Sequence, residues 1–214
     1  MRINFDEQLV QLNNEMIEMG SLCETIIDEV TKVIISGDLS KLEDIQNIAA
    51  KIDKKERNIE SSCLKLLLRQ QPVASDLRKV SSALKMITDM ERIGDQAEDI
   101  LSIFRKSNIV EVREVENISE LSKATIEMVR NSVESYVKQD VDLANKVIED
   151  DDKVDKYFRK VRKELIRILS ENELEGEEIL DLLMITKYYE KIGDHAANIA
   201  EWVIFSVTGK HNTI

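Results

Sequence analysis

The chain contains one ten-residue motif twice, about a hundred residues apart. ERIGDQAEDI begins at Glu91 and EKIGDHAANI begins at Glu190. Both copies place a glutamate, a glycine and an aspartate in the order Glu-x-x-Gly-Asp, so that two carboxylates lie four positions apart. Residues at this spacing share one face of an α-helix. The repeat therefore predicts two related halves, each with a pair of acids on one helix face.

The similarity of the two halves extends well beyond the motif. The segment that begins at Lys51, KIDKKERNIESSCLKLL, is similar to the segment that begins at Lys153, KVDKYFRKVRKELIRIL. The distance along the chain between these two segments is three residues longer than the distance between the two copies of the motif. The change in spacing falls where one half has QQPVASDL and the other has SENELEGEEI. A length change confined to a turn is expected between two diverged copies of one fold. Since about one hundred residues are too many for a solenoid repeat, we predict a duplicated domain.

Residues that end helices are scarce, because the 214 residues include only six glycines and one proline. This composition predicts long helices and no obvious place for strands. Each half is divided into three predicted helices by two breaks, which lie at Gly37-Asp38 and before Pro72 in the first half, and near Asp140 and at 172–176 in the second. Ser75 is predicted to be the N-cap of the third helix. The predicted helices of the first half cover residues 5–36, 39–69 and 75–106, and the last helix ends at about 208.

We therefore predict an all-α fold of two pseudo-symmetric three-helix bundles, built from long antiparallel helices. The predicted domains are residues 1–107 for the first bundle, 108–117 for a linker and 118–214 for the second bundle.

The charge of the chain excludes several kinds of partner. With 42 acidic and 30 basic residues, the formal charge is -12, which disfavours non-specific binding to nucleic acid or to an anionic membrane. The apolar stretches are short, and the start lacks the hydrophobic region of a secretory signal, so we expect a cytoplasmic protein. Cys23 and Cys63 form no CxxC pair and are predicted to be buried free thiols.

The apolar stripe of each motif helix leads directly to the paired acids. Leu77, Val80, Leu84 and Ile87 mark the stripe that reaches Glu91 and Asp95, and Leu183 and Thr186 lead to Glu190 and Asp194 in the same way. Two anions that are buried together require protons, basic partners or a cation.

The paired acids are therefore candidate metal ligands. We predict that Glu91, Asp95, Glu190 and Asp194 coordinate magnesium, manganese, iron or zinc, with Asp53 and Asp155 as less certain ligands from the neighbouring helices. Gly94 and Gly193 indicate close approach of another backbone or of a ligand to the same face.

Other acids and polar residues favour a simpler interpretation. The pairs Glu24/Asp28 and Asp151/Asp155 also have the four-residue spacing, but charged runs of this kind are mostly solvated or salt-bridged. His195 lies on a different face from Glu190, and its counterpart in the first motif is Gln96. The sequence contains no glycine-rich phosphate loop and no nucleophilic triad signature, so we predict no catalytic residues, no organic cofactor and no enzyme activity.

Several segments together resemble the PhoU family over nearly the whole chain. These are the duplicated ERIGD/EKIGD motif, QQPVASDLR from Gln70, MGSLCE from Met19 and the closing EWVIFSVTGK. The resemblance implies two three-helix bundles and a cytoplasmic regulator of phosphate uptake that restrains the phosphate-starvation response. It also implies that the protein bridges the ATP-driven phosphate transporter and a membrane sensor kinase. We further expect a homodimer.

The resemblance bears on the metal hypothesis as well. Some members of the family bind iron or zinc clusters at E(D)xxxD motifs, which Glu91, Asp95, Glu190 and Asp194 match. The second copy departs from the first at Asn198, where the first has Asp99, and its turn lacks PVASDLR. The two sites are therefore expected to differ in affinity or nuclearity.

Two alternatives remain open from the sequence alone. A ferritin-like carboxylate oxidase would draw ligands from four helices and use Glu-x-x-His pairs, which the chain does not contain. A purely structural helical scaffold would have the same acids salt-bridged, without a metal.

Overall fold

The structure is a computed structural model that describes residues 2–70, 72, 74–107, 109, 116–171 and 174–210. Within these ranges the chain forms long helices joined by short turns, and no strand. The helices are α1 Arg2–Ser36, α2 Leu42–Gln70, α3 Ser75–Lys106, α4 Glu116–Lys138, α5 Val141–Glu171 and α6 Gly176–Thr208. The predicted all-α fold with six long helices is confirmed.

The first turn of each half is built in the same way. Gly37 ends α1 at φ 72° and donates its backbone N–H to the Val33 carbonyl at 2.8 Å. The Asp38 carboxylate then accepts a hydrogen bond from the Ser40 backbone N–H at 2.9 Å, where a short 3₁₀ turn precedes α2. This is the predicted break at Gly37-Asp38.

At the equivalent place in the second half, Gln139 takes a positive φ of 52° after α4. The Asp140 carboxylate accepts the Leu143 backbone N–H at 3.0 Å and so caps the start of α5.

Three details of the sequence prediction were wrong. Ser75 is the first residue of α3 and not its N-cap, because the Ala74 carbonyl already accepts the first helical hydrogen bond, from the Arg78 N–H at 3.2 Å. Leu77 is 45% exposed, since it lies in the first turn of α3, at the end of the apolar stripe. Residues 116 and 117, assigned to the linker, belong to α4. Residues 108 and 110–115 of the predicted linker lie outside the described residues.

The two bundles, α1–α3 and α4–α6, pack tightly against each other. Helix α3 lies along α6, and α1 lies along α4, while α2 and α5 occupy the two flanks. The α3/α6 pair is antiparallel, since Arg78 contacts the carbonyl of Ser206 and Asp89 contacts Asn198. The centre of the molecule is therefore a four-helix arrangement shared by both halves.

Matching hydrogen bonds confirm the internal symmetry. The Cys23 thiol donates to the Met90 carbonyl at 3.4 Å, and the Thr125 hydroxyl donates to the Tyr189 carbonyl at 3.4 Å. Each carbonyl lies one turn before the glycine of a repeated motif. The first helix of each half is thus bonded to the motif helix at the same level.

Both cysteines are buried free thiols, as predicted. Burial raises the pKa of Cys23 and of Cys63 to about 12, so both stay protonated and unreactive at neutral pH. None of the helices in the described ranges is long and apolar enough to cross a membrane.

Candidate functional site

The acids of the first repeated motif belong to a larger group, the first acidic cluster, on α2 and α3. Its members are Asp53, Glu56, Glu91, Asp95 and Glu98. The Glu91 side chain is 29% exposed and lies 3.6 Å from the Arg92 Nε. Arg92 also donates from Nη1 to Asp95 at 3.2 Å. The predicted ligands on α3 thus share one arginine.

Burial, and after it the repulsion between neighbouring carboxylates, raises the pKa of Glu91 and Glu98 in this cluster. Burial is the largest cause for Glu91, followed by the charge of Asp95, and the Arg92 charge opposes both. The pKa of Glu98 is raised by burial and then by Asp53 and Asp95. These carboxylates therefore lie within electrostatic reach of one another, and a bound cation would relieve their repulsion.

The second acidic cluster lies at the equivalent place on α5 and α6. Its members are Asp151, Asp155, Glu190 and Asp194. Lys187 Nζ lies 2.5 Å from the Glu190 carboxylate, which is only 12% exposed, and Lys191 bonds to Asp194. Two lysines therefore hold the predicted ligands on α6.

Asp151 has the most perturbed carboxyl group of the second cluster. Its pKa is raised to about 6, mainly by burial and then by the charges of Asp194, Asp155 and Glu190. The spacing and charge of the pair Asp151/Asp155 favoured a solvated or salt-bridged face. That interpretation was wrong for Asp151, which lies half-buried among the other acids of the cluster.

The glycine of each motif lets a neighbouring helix approach closely. A Cβ atom on Gly94 would lie 3.1 Å from Ile52 of α2, and one on Gly193 would lie 3.2 Å from Val154 of α5. The close approach is therefore made by side chains of the flanking helix, and the prediction that another backbone or a ligand makes it was wrong. It brings Asp53 and Asp155, which follow Ile52 and Val154 in sequence, next to the motif helices.

The two clusters occupy equivalent places in the two bundles, the first on α2 and α3 and the second on α5 and α6. Helix α1 packs against α2 and α3, and α4 packs against α5 and α6.

The donor chemistry of the clusters fits a hard or borderline cation, since every member offers carboxylate oxygen. In the part of the chain that the structure describes, no three Asp, Glu, His or Cys side chains stand close enough to hold an ion as they are placed. Binding would therefore require the carboxylates to leave Arg92, Lys187 and Lys191 and turn toward each other. The exposed ion pair between Arg92 and Asp95 contributes only about 0.2–1 kcal/mol, so separating it is inexpensive. Separating Glu190 from Lys187 costs more, because the Glu190 side chain is only 12% exposed.

The pair Glu24/Asp28 agrees with the simpler interpretation. Glu24 accepts a hydrogen bond from Arg130 Nε of α4 at 2.8 Å, and Asp28 pairs with Lys32 at 2.6 Å. These acids lie on the α1/α4 side and take no part in either cluster.

Polar side chains join α3 and α6 between the two clusters. His195 Nδ1 donates to the Asp89 carboxylate at 2.8 Å, and His195 Nε2 lies 3.1 Å from the Gln96 amide nitrogen. Asn198 donates to Asp89 at 3.2 Å. His195 is thus a structural residue of the contact between bundles, which agrees with the sequence interpretation that it is not a ligand.

The contact between Asp89 and Asn198 has a counterpart at the positions related by the internal symmetry, where the residues are different. Tyr188 and Asp99, the counterparts of Asp89 and Asn198, also form a hydrogen bond, and burial raises the pKa of Tyr188. Sequence reasoning did not identify these pairs, nor the membership of Glu56 and Glu98 in the first cluster. The only available signal was the alignment of the two halves, which places Gln96 and His195 at the same position.

The geometry defines an all-α protein of two fused three-helix bundles, with an acidic cluster on each. The family model described as PhoU domain matches residues 16–104 and 118–203. The chain therefore belongs to the PhoU family, as the sequence resemblance indicated.

Individual relatives support this assignment. The chain is 33% identical over 211 residues to a phosphate-specific transport system accessory protein PhoU homolog of Clostridium acetobutylicum, covering 96% of this chain and 95% of the relative. A homolog with the same description from Pseudomonas aeruginosa is 31% identical, with 96% of this chain and 86% of the relative covered.

Solved structures show the same fold. The crystal structure of PhoU from Pseudomonas aeruginosa matches with a TM-score of 0.88 at 30% identity, over 96% of this chain and all of the other. A phosphate transport system regulatory protein PhoU from Streptococcus pneumoniae matches with a TM-score of 0.89 at 24% identity, over 98% of this chain and all of the other. The curated relatives are named as accessory proteins of the phosphate-specific transport system and not as enzymes, in agreement with the prediction of no enzyme activity.

Proposed function

We propose that this protein is a cytoplasmic regulator of phosphate uptake and phosphate homeostasis. It acts as a negative regulator of the phosphate-starvation response and as an adaptor between the phosphate ABC transporter and a sensor histidine kinase. Family membership supports the link to phosphate transport, because the relatives are named for that system. The adaptor role fits a molecule made of long helices whose outer faces are available to protein partners.

The observation that supports the proposal is the pair of acidic clusters at equivalent places in the two bundles. In each cluster the acids come from two different helices, α2 and α3 or α5 and α6. A divalent or trivalent metal ion would be held by Glu91, Asp95 and Asp53 in the first bundle, and by Glu190, Asp194 and Asp155 in the second. Because these residues come from two helices, a bound cation would neutralise the clustered charge and link the two helices, which would couple metal binding to rigidity of the docking face.

One experiment tests the regulatory role and the metal site together. The gene is deleted in its own organism, and the strain is complemented with the wild type, with E91A/D95A or with E24A/D28A. The second variant is a matched control, because its acids have the same spacing but lie on the α1/α4 side. A phosphate-starvation reporter is read in high phosphate, and the metal content of each purified protein is measured by mass spectrometry.

We expect derepressed reporter expression in the deletion strain and repression with the wild type and the control. The E91A/D95A protein should lose the metal of the first cluster, while E24A/D28A keeps the wild-type content. Normal repression in the deletion strain would refute the regulatory role. Unchanged metal content in E91A/D95A would refute the ligand assignment, and wild-type protein without metal would favour the purely structural scaffold.

A further inference from the structure

The outer face of α5 carries a row of charged side chains. Helix α5 packs against α4 and α6, and its buried side includes Val147, Val154 and Val161. On the opposite side, eight exposed residues follow one another at steps of three or four positions, which places them in one row along the helix. The first four are Asp142, Asn145, Glu149 and Asp152. The last four are Lys156, Lys160, Lys163 and Arg167. These eight residues form the α5 stripe.

The α5 stripe changes sign at its middle. Three of its first four residues are acidic, and all of its last four are basic. The change falls between Asp152 and Lys156, so the acidic half and the basic half have the same number of residues. The stripe is therefore complementary in charge to a second copy of itself that runs in the opposite direction.

Most charges of the stripe are not neutralised within the chain. Among the described residues, the charged members from Asp142 to Lys163 form no ion pair, and Arg167 pairs with Glu171. Charges of α5 that lie off the stripe are paired, since Lys153 contacts Asp150 at 2.6 Å and Arg159 contacts Asp155 at 3.6 Å. The charges of the stripe are thus available to a partner.

Two α5 stripes fit each other when the two helices run antiparallel. Pairing about the point where the charge changes brings each acid of one copy beside a basic residue of the other. The pairs are Asp152 with Lys156, Glu149 with Lys160, and Asp142 with Arg167. Each pair occurs twice in a two-fold arrangement, which is closed because both copies use the same surface. Opposite charges at such positions also fix the relative direction of paired helices.

The equivalent face of the first half lacks this pattern. The repeat aligns Lys51 with Lys153, and the stripe positions of α5 then correspond to positions 40–65. Seven of the eight α5 positions are charged, whereas the eight equivalent positions carry charge only at Glu43, Lys54 and Lys65. Since both halves have the same fold, the fold itself does not require the charges of the stripe.

A polyanion would match only half of the stripe. An anionic membrane or a nucleic acid attracts the basic half, but it repels the acidic half, which lies on the same face of the same helix. The chain as a whole is also acidic, with a formal charge of -12. A second copy of the chain neutralises both halves at once.

The size of the stripe determines how strongly two copies bind. From Asp142 to Arg167 it is about 38 Å long at a rise of about 1.5 Å per residue, and a helix with its side chains is about 10–12 Å wide. The contact therefore covers on the order of 400 Å² on each copy, against roughly 800 Å² for a stable interface. Because exposed ion pairs each contribute little, the dimer should dissociate on dilution.

We propose that the α5 stripe is the surface through which two copies of the chain form a reversible, antiparallel homodimer. The homodimer expected from the sequence thereby acquires a specific contact. This contact is independent of the metal hypothesis and of the adaptor role, because it involves only the charges of α5.

Charge reversal on the two halves of the stripe tests the contact directly. The purified wild type is compared with the variant Lys156→Glu/Lys160→Glu, in which the four central charges are all negative. It is also compared with Glu149→Lys/Asp152→Lys, in which the same four charges are all positive. The two variants are measured separately and as an equimolar mixture.

The matched control is Lys54→Glu/Lys65→Glu. It changes the net charge by the same amount as Lys156→Glu/Lys160→Glu, and its exposed lysines lie on the equivalent face of α2. Sedimentation equilibrium measures the mass of each protein over a range of concentrations. Circular dichroism and thermal unfolding verify that each variant is folded.

We expect the wild type and the control to dimerise with the same dissociation constant. Each reversal variant should dimerise at least ten-fold more weakly, because its four central charges repel those of an identical copy. The equimolar mixture should dimerise at least as tightly as the wild type, since every central charge then meets an opposite charge. Misfolding of the variants would not produce this recovery.

Several outcomes would overturn the α5 contact. A wild type that stays monomeric up to the highest concentration would exclude it, and binding of that monomer to anionic lipid vesicles through Lys156 and Lys160 would assign the basic half to a membrane. Dimers that persist in both reversal variants would place the contact between copies on another surface. A mixture that remains monomeric would show that the two halves do not meet. Equal weakening in the control would attribute the loss to net charge.

Discussion

At the scale of single residues, the two acidic clusters differ in the charges that balance them. In the first cluster Arg92 contacts Glu91 and Asp95, whereas in the second Lys187 and Lys191 contact Glu190 and Asp194. Lys187 also lies over the ring of Phe158, at 5.4 Å from its centre. Phe158 is half-buried.

The two clusters also differ in the residue types at two equivalent positions of the repeat. The positions of Lys187 and Phe158 are occupied by Thr88 and Glu56 in the first half. The first cluster is therefore more negative. The difference in metal affinity between the two bundles stays a prediction from the sequence, and these exchanges give a physical reason to expect it.

Asp151 gives a prediction about pH and stability in the metal-free protein. Its pKa in the folded state is raised to about 6, above the usual value of 3.8, so the folded state binds the proton more tightly. Folding is therefore favoured by protonation of Asp151 below about pH 4, and this contribution is lost as the pH rises through 6. Asp151→Asn removes the charge and should stabilise the protein by about 1 kcal/mol at pH 7.5, after allowance for solvent screening of a half-exposed group.

Urea unfolding of wild type and Asp151→Asn at pH 4 and pH 7.5 measures this difference. The gain should nearly vanish at pH 4, where the wild-type carboxyl is protonated. An equal gain at both pH values would show that the charge of Asp151 is not the cause. Glu149→Gln, an exposed acid two residues earlier on the same helix, is the control.

At the scale of elements, the sequence predicted most helix ends within a few residues. The breaks at Gly37 and Asp140 were identifiable because a positive φ or a capping carboxylate is a local property of the residues that provide it. Packing between the halves was not predictable in this way. Asp89 and His195 are 106 residues apart in sequence, and no local sequence pattern around either residue indicates that the two are in contact.

The candidate site, like the helix ends, was predictable only where the sequence carries a local or repeated pattern. The repeated motif identified the acids on α3 and α6, since repetition gives each pair a counterpart. Glu98 of the first cluster was missed because its counterpart is Ala197, so the repeat gives no signal there. The lysines and the arginine that hold the acids were also missed, because a basic residue three positions from an acid is common on any charged helix.

The contact between α1 and α4 gives a second prediction. A Cβ atom on Gly20 would lie 2.7 Å from a methyl carbon of Val133, closer than packed atoms allow. Gly20→Ala should therefore destabilise the protein by about 1–3 kcal/mol, although alanine is the better helix former. Adding Val133→Ala should restore part of the loss, because it removes the clashing methyl groups.

A double-mutant cycle of urea unfolding measures this coupling. Independent, additive effects of the two substitutions would contradict the proposed helix contact. Gly176→Ala is the matched control, since an added Cβ there would meet nothing within 4 Å.

At the scale of the whole molecule, the duplicated halves form one folding unit. Both α1 and α3 bury part of their surface against the other bundle. The hydroxyl groups of Tyr189 and Thr31 meet at 2.7 Å in the buried interior, which joins α6 to α1. Domain duplication in the sequence therefore corresponds to a shared core and not to two separate globules.

The shared core predicts how the separated halves behave. Fragment 1–107 exposes the apolar faces of α1 and α3 that the second bundle covers, and fragment 118–214 exposes the complementary faces of α4 and α6. Each fragment alone should self-associate and unfold at a lower temperature than the intact chain, since exposed core surface favours any contact that buries it. Mixing the fragments should restore a one-to-one complex, measured by light scattering and thermal unfolding. The control is the intact chain cut by a protease at a site inserted within 108–117, which should keep its mass and melting temperature. A monomeric fragment 1–107 as stable as the intact protein would show that the bundles fold independently.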